Sequence, residues 1–345
     1  MLPHKNNHSR KSRNNNIAIL GTGSWGNTLA ILLSKTSKKV KMWTVSKKEL
    51  DQIKRNNAFL KPKKFKLPKE ISISNDLKEV IKNVSLIVIA VPSSAFKETI
   101  LKLAKVKIEK KIILLSATKG FINSYSRPSE IMKKYLRHNR YGVLSGPNIA
   151  FDVISNTPVI SVVSAKNKEA ALFIQKTFNS NHFRVYINPD TTSVEISGAL
   201  KNVIAIAAGI SDGLNFNIST KAGLISRGLN EITKIAIKEG GKAKSMLGAA
   251  SIGDLIATCC SPKSRNYQVG YMLAKGKRLS YILRELGQVA EGAETVKAMV
   301  KLGKKYKVET PIASAVYDIV IDKKDPKSII KKLLERPIPK NELDF

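Results

Sequence analysis

Ile17-Ala18-Ile19-Leu20-Gly21-Thr22-Gly23-Ser24-Trp25-Gly26 is the stretch on which the architecture turns. Its first four residues are all apolar and read as a buried strand. Three glycines follow on the spacing G-x-G-x-x-G, and Trp25 to Ser34 reads as a helix. Strand, glycine turn and helix in that order let a pyrophosphate approach the backbone closely. The phosphate then rests on free N–H groups at a helix N-terminus, where the helix dipole favours an anion. Dinucleotide binding is therefore the expectation for this turn.

Working outward, further apolar runs occur at Val40 to Thr44, Leu86 to Val91, Ile112 to Leu115, Gly142 to Leu144 and Val159 to Val163, with helical stretches between them. Continuous apolar strands alternating with helices indicate a parallel sheet covered on both faces. From about Thr191 the strands stop, and helical periodicity runs to Leu334, punctuated by Gly240-Gly241, Ser261-Pro262 and Pro311. The expected fold class is α/β, an N-terminal Rossmann-type doubly wound sheet followed by an all-α C-terminal domain. The expected organisation is a disordered basic tail over residues 1–15, the dinucleotide-binding domain over 16–190, a helical substrate domain over 191–335 and a tail over 336–345. Asn56 to Lys69 forms a lysine-rich connection.

Composition narrows the function. Sixty Lys and Arg residues against 26 Asp and Glu give a net charge of +34, which raises the question of nucleic acid. The cations are spread in pairs such as Lys47-Lys48, Lys110-Lys111 and Lys331-Lys332 along nearly every segment, with no single aromatic-interleaved stripe. That distribution is a basic solvated surface, and no specific nucleic-acid partner is expected. Residues 1–16 lack the apolar centre of a secretory signal. The apolar run 199–211 is interrupted by Lys201, Asn202 and Gly209, so no integral membrane association is expected either. Cys259 and Cys260 are adjacent, which is not the spacing of a disulfide framework or a metal site. A cytoplasmic protein without a metal is the expectation.

Within that run, Lys201 stands between Leu200 and Asn202-Val203-Ile204. It is either a cation that snorkels out of an amphipathic helix or a desolvated lysine tuned for proton transfer. Polar groups also gather at the ends of apolar elements. Ser116-Ala117-Thr118-Lys119-Gly120 and Ser145-Gly146-Pro147-Asn148 each follow a strand at its carboxyl end, where open α/β sheets bind ligands. Gly253-Asp254-Leu255 leads to Thr258 one helical turn later. In Ser261-Pro262-Lys263-Ser264-Arg265-Asn266, Ser264 occupies a helix N-cap position and Arg265 offers a planar fork to a phosphate. An acidic residue some 20 positions after the glycines would grip the ribose hydroxyls of NAD. None is found at the end of the second strand, which continues Thr44-Val45-Ser46-Lys47-Lys48. Those two lysines either meet a 2′-phosphate or merely continue the general lysine excess.

Taken together and in order, G-T-G-S-W-G, A-T-K-G, S-G-P-N-I-A, A-L-K-N-V-I-A-I, G-D-L-x-x-T-C and S-R-N-Y resemble NAD(P)-dependent glycerol-3-phosphate dehydrogenase over about residues 16–335. The resemblance implies a coenzyme held by Gly21, Gly23, Ser24, Trp25, Gly26, Lys119, Ala150, Arg265, Val289 and Glu291. NADP is the expected preference, with NAD also accepted. It implies dihydroxyacetone phosphate or sn-glycerol 3-phosphate as substrate, bound by Lys119, Gly146, Asn148, Lys201, Asp254, Ser264, Arg265 and Asn266, with Arg265 and Asn266 on the phosphate. Lys201 matches the family's acid/base lysine. A homodimer and a role in glycerophospholipid synthesis are further implications. The chain departs from the pattern at Thr44-Val45-Ser46, where many relatives carry an arginine, and at Asn148, where bacterial relatives often have serine. A 6-phosphogluconate-type dehydrogenase would space lysine and asparagine as K-x-x-N, but here Lys201 and Asn202 are adjacent. A non-catalytic Rossmann binder would leave Lys119, Lys201, Asp254 and Arg265 without a common purpose.

Overall fold

The computed structural model describes residues 16–36, 39–61, 65–123, 125–286, 291–337 and 341–343. The expected basic tail over 1–15 and the candidate coenzyme residue Val289 lie outside the described residues. Eight strands form one sheet: β1 (Ile17–Leu20), β2 (Val40–Trp43), β3 (Ile71–Ser74), β4 (Leu86–Ile89), β5 (Ile113–Ser116), β6 (Arg140–Ser145), β7 (Val159–Ser164) and β8 (Phe183–Ile187). Between them run α1 (Ser24–Ser34), α2 (Lys47–Asn56), α3 (Leu77–Ile81), α4 (Ser93–Lys105), α5 (Pro128–Tyr135), α6 (Ala150–Ile154) and α7 (Lys168–Phe178). The remainder is helical: α8 (Thr191–Gly213), α9 (Ile218–Lys238), α10 (Asp254–Cys260), α11 (Arg265–Ala274), α12 (Leu279–Leu286), α13 (Glu291–Tyr306), α14 (Pro311–Val320) and α15 (Pro326–Leu334).

The strand order is β3-β2-β1-β4-β5-β6-β7-β8, so the direction of winding reverses between β1 and β4. A crevice opens at such a reversal outside the carboxyl ends of the strands. Successive residues of β1 divide between two cores. Ile17 and Ile19 pack with Leu29, Ile174 and Phe178 on one face, and Ala18 and Leu20 pack with Phe96, Ile100 and Met132 on the other. A sheet covered on both faces explains the unbroken apolar runs of the central strands. Each large side chain sealed in this way, Phe96 and Phe178 among them, contributes about 1.5–3 kcal/mol.

Two expectations need correction. The sheet is not wholly parallel, because β7 pairs antiparallel with β6 through Val143 and Ser164, Leu144 and Val163, and Ser145 and Val162. After Ser145 the chain turns back at the carboxyl edge instead of crossing a face, and the short α6 is its only helix there. Two strands, β3 and β8, were not anticipated. Each alternates apolar with polar residues at an edge of the sheet, so neither has the continuous apolar run of a central strand. Despite the breaks at Lys201, Asn202 and Gly209, α8 is long and apolar enough to cross a membrane by length and composition, with mean hydropathy 1.3 over its best window. That window is entirely buried, and α8 is the central helix of the C-terminal domain.

Helix α11 lies against α8 at backbone distance. A Cβ on Gly209 would meet the Tyr267 carbonyl oxygen at 2.0 Å, and one on Gly270 would meet that of Ile206 at 1.9 Å. This close crossing carries the N-terminus of α11, with Arg265 and Asn266, towards the middle of α8.

Candidate active site

The glycine turn is shaped in two different ways. Gly21 has φ +114°, and a Cβ there would lie 2.5 Å from the Ala90 carbonyl oxygen. A Cβ on Gly26 would lie 2.2 Å from the Gly21 carbonyl oxygen, so this glycine lets α1 pack onto the strand. Gly23, in contrast, has nothing within 4 Å of a built Cβ. Protein packing does not require glycine at that position, whereas close approach of a ligand to the backbone does. Gly23 is also the N-cap of α1, and no side chain caps that end or places an acid in its first turn. The buried Trp25 Nε1 has no hydrogen-bond partner among the described residues. Open backbone, uncapped N–H groups and an unmatched donor fit a dinucleotide pyrophosphate.

Helix α8 crosses the carboxyl ends of β5 and β6, where a Cβ on Gly198 would lie 3.2 Å from Ser145 Oγ and 4.0 Å from Lys119 Cγ. The helical domain thus closes over the same edge as the glycine turn. Two further contacts hold it there. Glu195 of α8 accepts from the Ser129 N–H at 2.8 Å and from its hydroxyl at 2.5 Å, capping α5, and Arg127 donates to Thr192 Oγ1 at 2.7 Å.

Further along α8, Lys201 is only 6% exposed. Its ammonium donates to Asp254 Oδ1 and, at 2.7 Å, to Thr258 Oγ1. Asp254 Oδ2 accepts from Lys119 Nζ at 2.8 Å, and the same nitrogen donates to the Gly146 carbonyl oxygen at 2.8 Å. Asp254, 2% exposed, is therefore one buried carboxylate between two ammonium groups. Its position follows from an irregular approach, a 3₁₀ turn over Ala243–Leu247 and a π turn over Ala249–Gly253 that ends where α10 begins. Such π turns recur at functional sites because they re-aim a side chain within a helix. Burial pushes the Lys201 ammonium down to about 8; Asp254 opposes the shift and Lys119 adds to it.

The substrate residues expected around this cluster divide into groups. Lys119, Gly146, Lys201 and Asp254 come together directly. Ser264 caps α11 by accepting from the Tyr267 N–H at 3.4 Å, and Arg265 is the first residue of that helix and exposed. Asn266 Oδ1 accepts from the Gly292 N–H at 3.0 Å, which leaves its Nδ2 as the donor for a ligand. Asn148 is engaged elsewhere: its Nδ2 donates to the Ile160 carbonyl at 2.7 Å and its Oδ1 accepts from Ser161 Oγ at 3.0 Å. It braces the Gly146-Pro147 turn against β7. Glu291 heads α13, accepts from the Ser93 N–H at 3.3 Å and comes within 3.3 Å of a Cβ built on Gly120. Burial raises its carboxyl, which Arg265 and Lys201 counteract, so these three residues share one field. Ala150 opens α6 beyond the Gly146 turn, partly exposed.

Sequence reasoning did not name Ser93, Ser161 or Glu49 as neighbours of the site. Ser93 had a signal in the Val91-Pro92-Ser93-Ser94 break after β4. Among the described residues no group of three or more His, Cys, Asp or Glu side chains is placed to hold a metal ion. A cavity of about 900 Å³ beside Leu224, Arg227 and Ile319 is lined by the second half of α8 with α9, α14 and α15, and its lining includes no residue of this cluster.

The chain matches the family model described as NAD-dependent glycerol-3-phosphate dehydrogenase N-terminus over residues 16–171 and the corresponding C-terminus model over 190–331. It is 40% identical over 321 residues to glycerol-3-phosphate dehydrogenase [NAD(P)+] of Thermoanaerobacter sp. (strain X514), covering 93% of this chain and 97% of that protein. The enzyme of the same name from Leptospira biflexa is 40% identical over 327 residues, with 93% and 98% covered. Among solved structures, glycerol-3-phosphate dehydrogenase from Coxiella burnetii superposes with a TM-score of 0.89 at 33% identity, over 93% of this chain and 99% of that one. With both halves matched by the two family models and relatives about 40% identical over nearly the whole chain, this chain belongs to the NAD(P)-dependent glycerol-3-phosphate dehydrogenase family.

Proposed function

We propose that this protein reversibly reduces dihydroxyacetone phosphate to sn-glycerol 3-phosphate, with Lys201 as the general acid and base at the C2 oxygen. The observation that carries this reading is the Lys201-Asp254-Lys119 chain, with Lys201 and Asp254 buried, at the carboxyl edge of the sheet that bears the glycine turn. A bound nicotinamide coenzyme would supply the hydride. The protein supplies the rest. Reduction adds a hydride to the C2 carbon and moves the carbonyl electron pair onto oxygen, and Lys201 gives that oxygen a proton. Cations aimed at the oxygen stabilise this charge more strongly in the transition state than in the ketone. With its ammonium near 8, Lys201 is mostly protonated at pH 7 and ready to donate, so we take reduction as the working direction. That direction would supply glycerol 3-phosphate for glycerophospholipid synthesis.

Asp254 orients both ammonium groups, and Thr258 fixes the second hydrogen bond of Lys201. Arg265, Asn266 and the N-terminus of α11 would hold the substrate phosphate, which sets C2 over Lys201. Trp25 and the open face at Gly23 would hold the coenzyme pyrophosphate. Lys47 and Lys48, exposed in the first turn of α2, would attract a 2′-phosphate, whereas Glu49 would repel one. We also expect the protein to work as a cytoplasmic homodimer, as the family resemblance implies.

The test is oxidation of NADH and NADPH at 340 nm with dihydroxyacetone phosphate, on wild type and Lys201→Ala. Wild type should turn over, and Lys201→Ala should lose about 10²–10⁴-fold in kcat. No turnover by wild type with either coenzyme would end this reading. Near-normal kcat in the variant would remove Lys201 from its role.

A further inference from the structure

The end of β2 carries no acidic residue, yet a carboxylate reaches the same place from the next helix. Ser46 is the N-cap of α2 and accepts from the Glu49 N–H at 3.1 Å, which is half of a capping box. In a complete box the glutamate side chain returns to the N-cap N–H. Here the Ser46 N–H goes to Thr44 Oγ1 at 3.3 Å, and the glutamate is released for another contact. Its Oε2 accepts from the Thr22 hydroxyl at 2.7 Å and from the Thr44 hydroxyl at 2.8 Å. Thr22 is the residue between Gly21 and Gly23, and Thr44 directly follows β2; both are buried. The Gly21 N–H donates to the Trp43 carbonyl at 2.9 Å, so turn and strand end are themselves tied together.

Two hydroxyl donors thus hold one oxygen of Glu49 at the glycine turn. The other, Oε1, accepts no hydrogen bond from a described residue. This is where dinucleotide-binding folds present an acid to the adenosine ribose. The position escapes a count along the sequence because the carboxylate comes from the first turn of α2. Val45, which stands among the residues where many relatives carry an arginine, is 70% exposed and brings no charge.

We propose that Glu49 sets the coenzyme choice: its carboxylate accepts from the ribose hydroxyls of NAD(H) and repels the 2′-phosphate of NADP(H). Lys47 and Lys48 favoured NADP in the reading of the sequence alone. Both are exposed, and the described structure gives neither a hydrogen bond nor an ion pair, so water screens their attraction. Glu49 is fixed by two donors and only partly exposed, so its repulsion is screened less. The proposal rests on the dinucleotide site at the glycine turn and does not depend on the chemistry of Lys201.

The experiment is an equilibrium titration of the full chain with NADH and with NADPH, followed by coenzyme fluorescence. It is run on wild type, Glu49→Gln and the double variant Lys47→Gln/Lys48→Gln. Wild type should bind NADH at least about tenfold more tightly than NADPH, and Glu49→Gln should shift that ratio towards NADPH by about tenfold. Tighter binding of NADPH by wild type, lost in the double lysine variant, would overturn the proposal whatever the glutamine variant does. An unchanged ratio in a folded Glu49→Gln protein would also overturn it. Binding of neither coenzyme would overturn it together with the dehydrogenase reading, whereas selective binding without turnover would overturn the dehydrogenase reading alone.

Discussion

Asp254 holds two ammonium groups, the buried Lys201 and the half-buried Lys119, with one carboxylate, and the pH behaviour of the protein should follow from that arrangement. With Lys201 as the proposed proton donor, kcat for reduction should fall as pH rises through about 8, and oxidation of glycerol 3-phosphate should rise over the same range. In Asp254→Asn the opposing carboxylate is gone while burial and Lys119 remain, so the Lys201 ammonium should drop further. The midpoint of the reduction profile should then move to lower pH, and an unmoved midpoint would show that another group controls it. The same variant breaks the buried Lys201-Asp254 pair and should cost about 3–5 kcal/mol in denaturant unfolding. Lys201 itself was legible because an ammonium inside an apolar helix needs a partner. Its partner lies 53 positions along the chain, and only the family's motif order pointed to it. Glu49 was not legible, because its role depends on Ser46 and Thr44 exchanging capping partners, a choice made by geometry and not by spacing.

At the scale of elements, β1, its glycine turn and α1 separate folding from binding. Gly26→Ala would put a methyl 2.2 Å from a carbonyl oxygen, an overpacking expected to cost about 1–3 kcal/mol of stability. Gly23→Ala has open space and φ −70°, so its cost should stay within the about 1 kcal/mol of a poorer N-cap. Its coenzyme Kd should nevertheless weaken by tenfold or more, by roughly the 1.4 kcal/mol or more of an obstructed phosphate. Thermal melts and coenzyme titrations of the two variants would show this split, and equal loss of stability in both would refute it. The central strands were readable because burial on both faces writes a continuous apolar run. The edge strands Ile71–Ser74 and Phe183–Ile187 are half-exposed and short, so their alternation resembles that of loop and helix ends. The reversal at β7 was not readable, since direction depends on where the chain re-enters the sheet.

At the scale of the whole molecule, the charge of +34 is a field, and both the substrate and the coenzyme are anions. The kcat/KM for dihydroxyacetone phosphate should fall as ionic strength rises from about 0.01 M to about 0.15 M, because the Debye length shrinks from about 30 Å to about 8 Å. A flat response over that range would mean that the scattered lysines do not steer association. The Glu195 cap on α5 and the Gly198 crossing bring the helical domain against the carboxyl edge of the sheet. Helix α8 has a further consequence during synthesis. The helices that cover it, α9, α10, α11 and α13, all follow it in the chain. A segment hydrophobic enough for a bilayer therefore leaves the ribosome roughly 80 residues before Gly292 can close over it, about 4–16 s at ordinary elongation rates. During that interval the nascent chain is a substrate for holding chaperones and for membrane-targeting machinery, and the placement of Lys201 midway along α8 lowers its claim to the second.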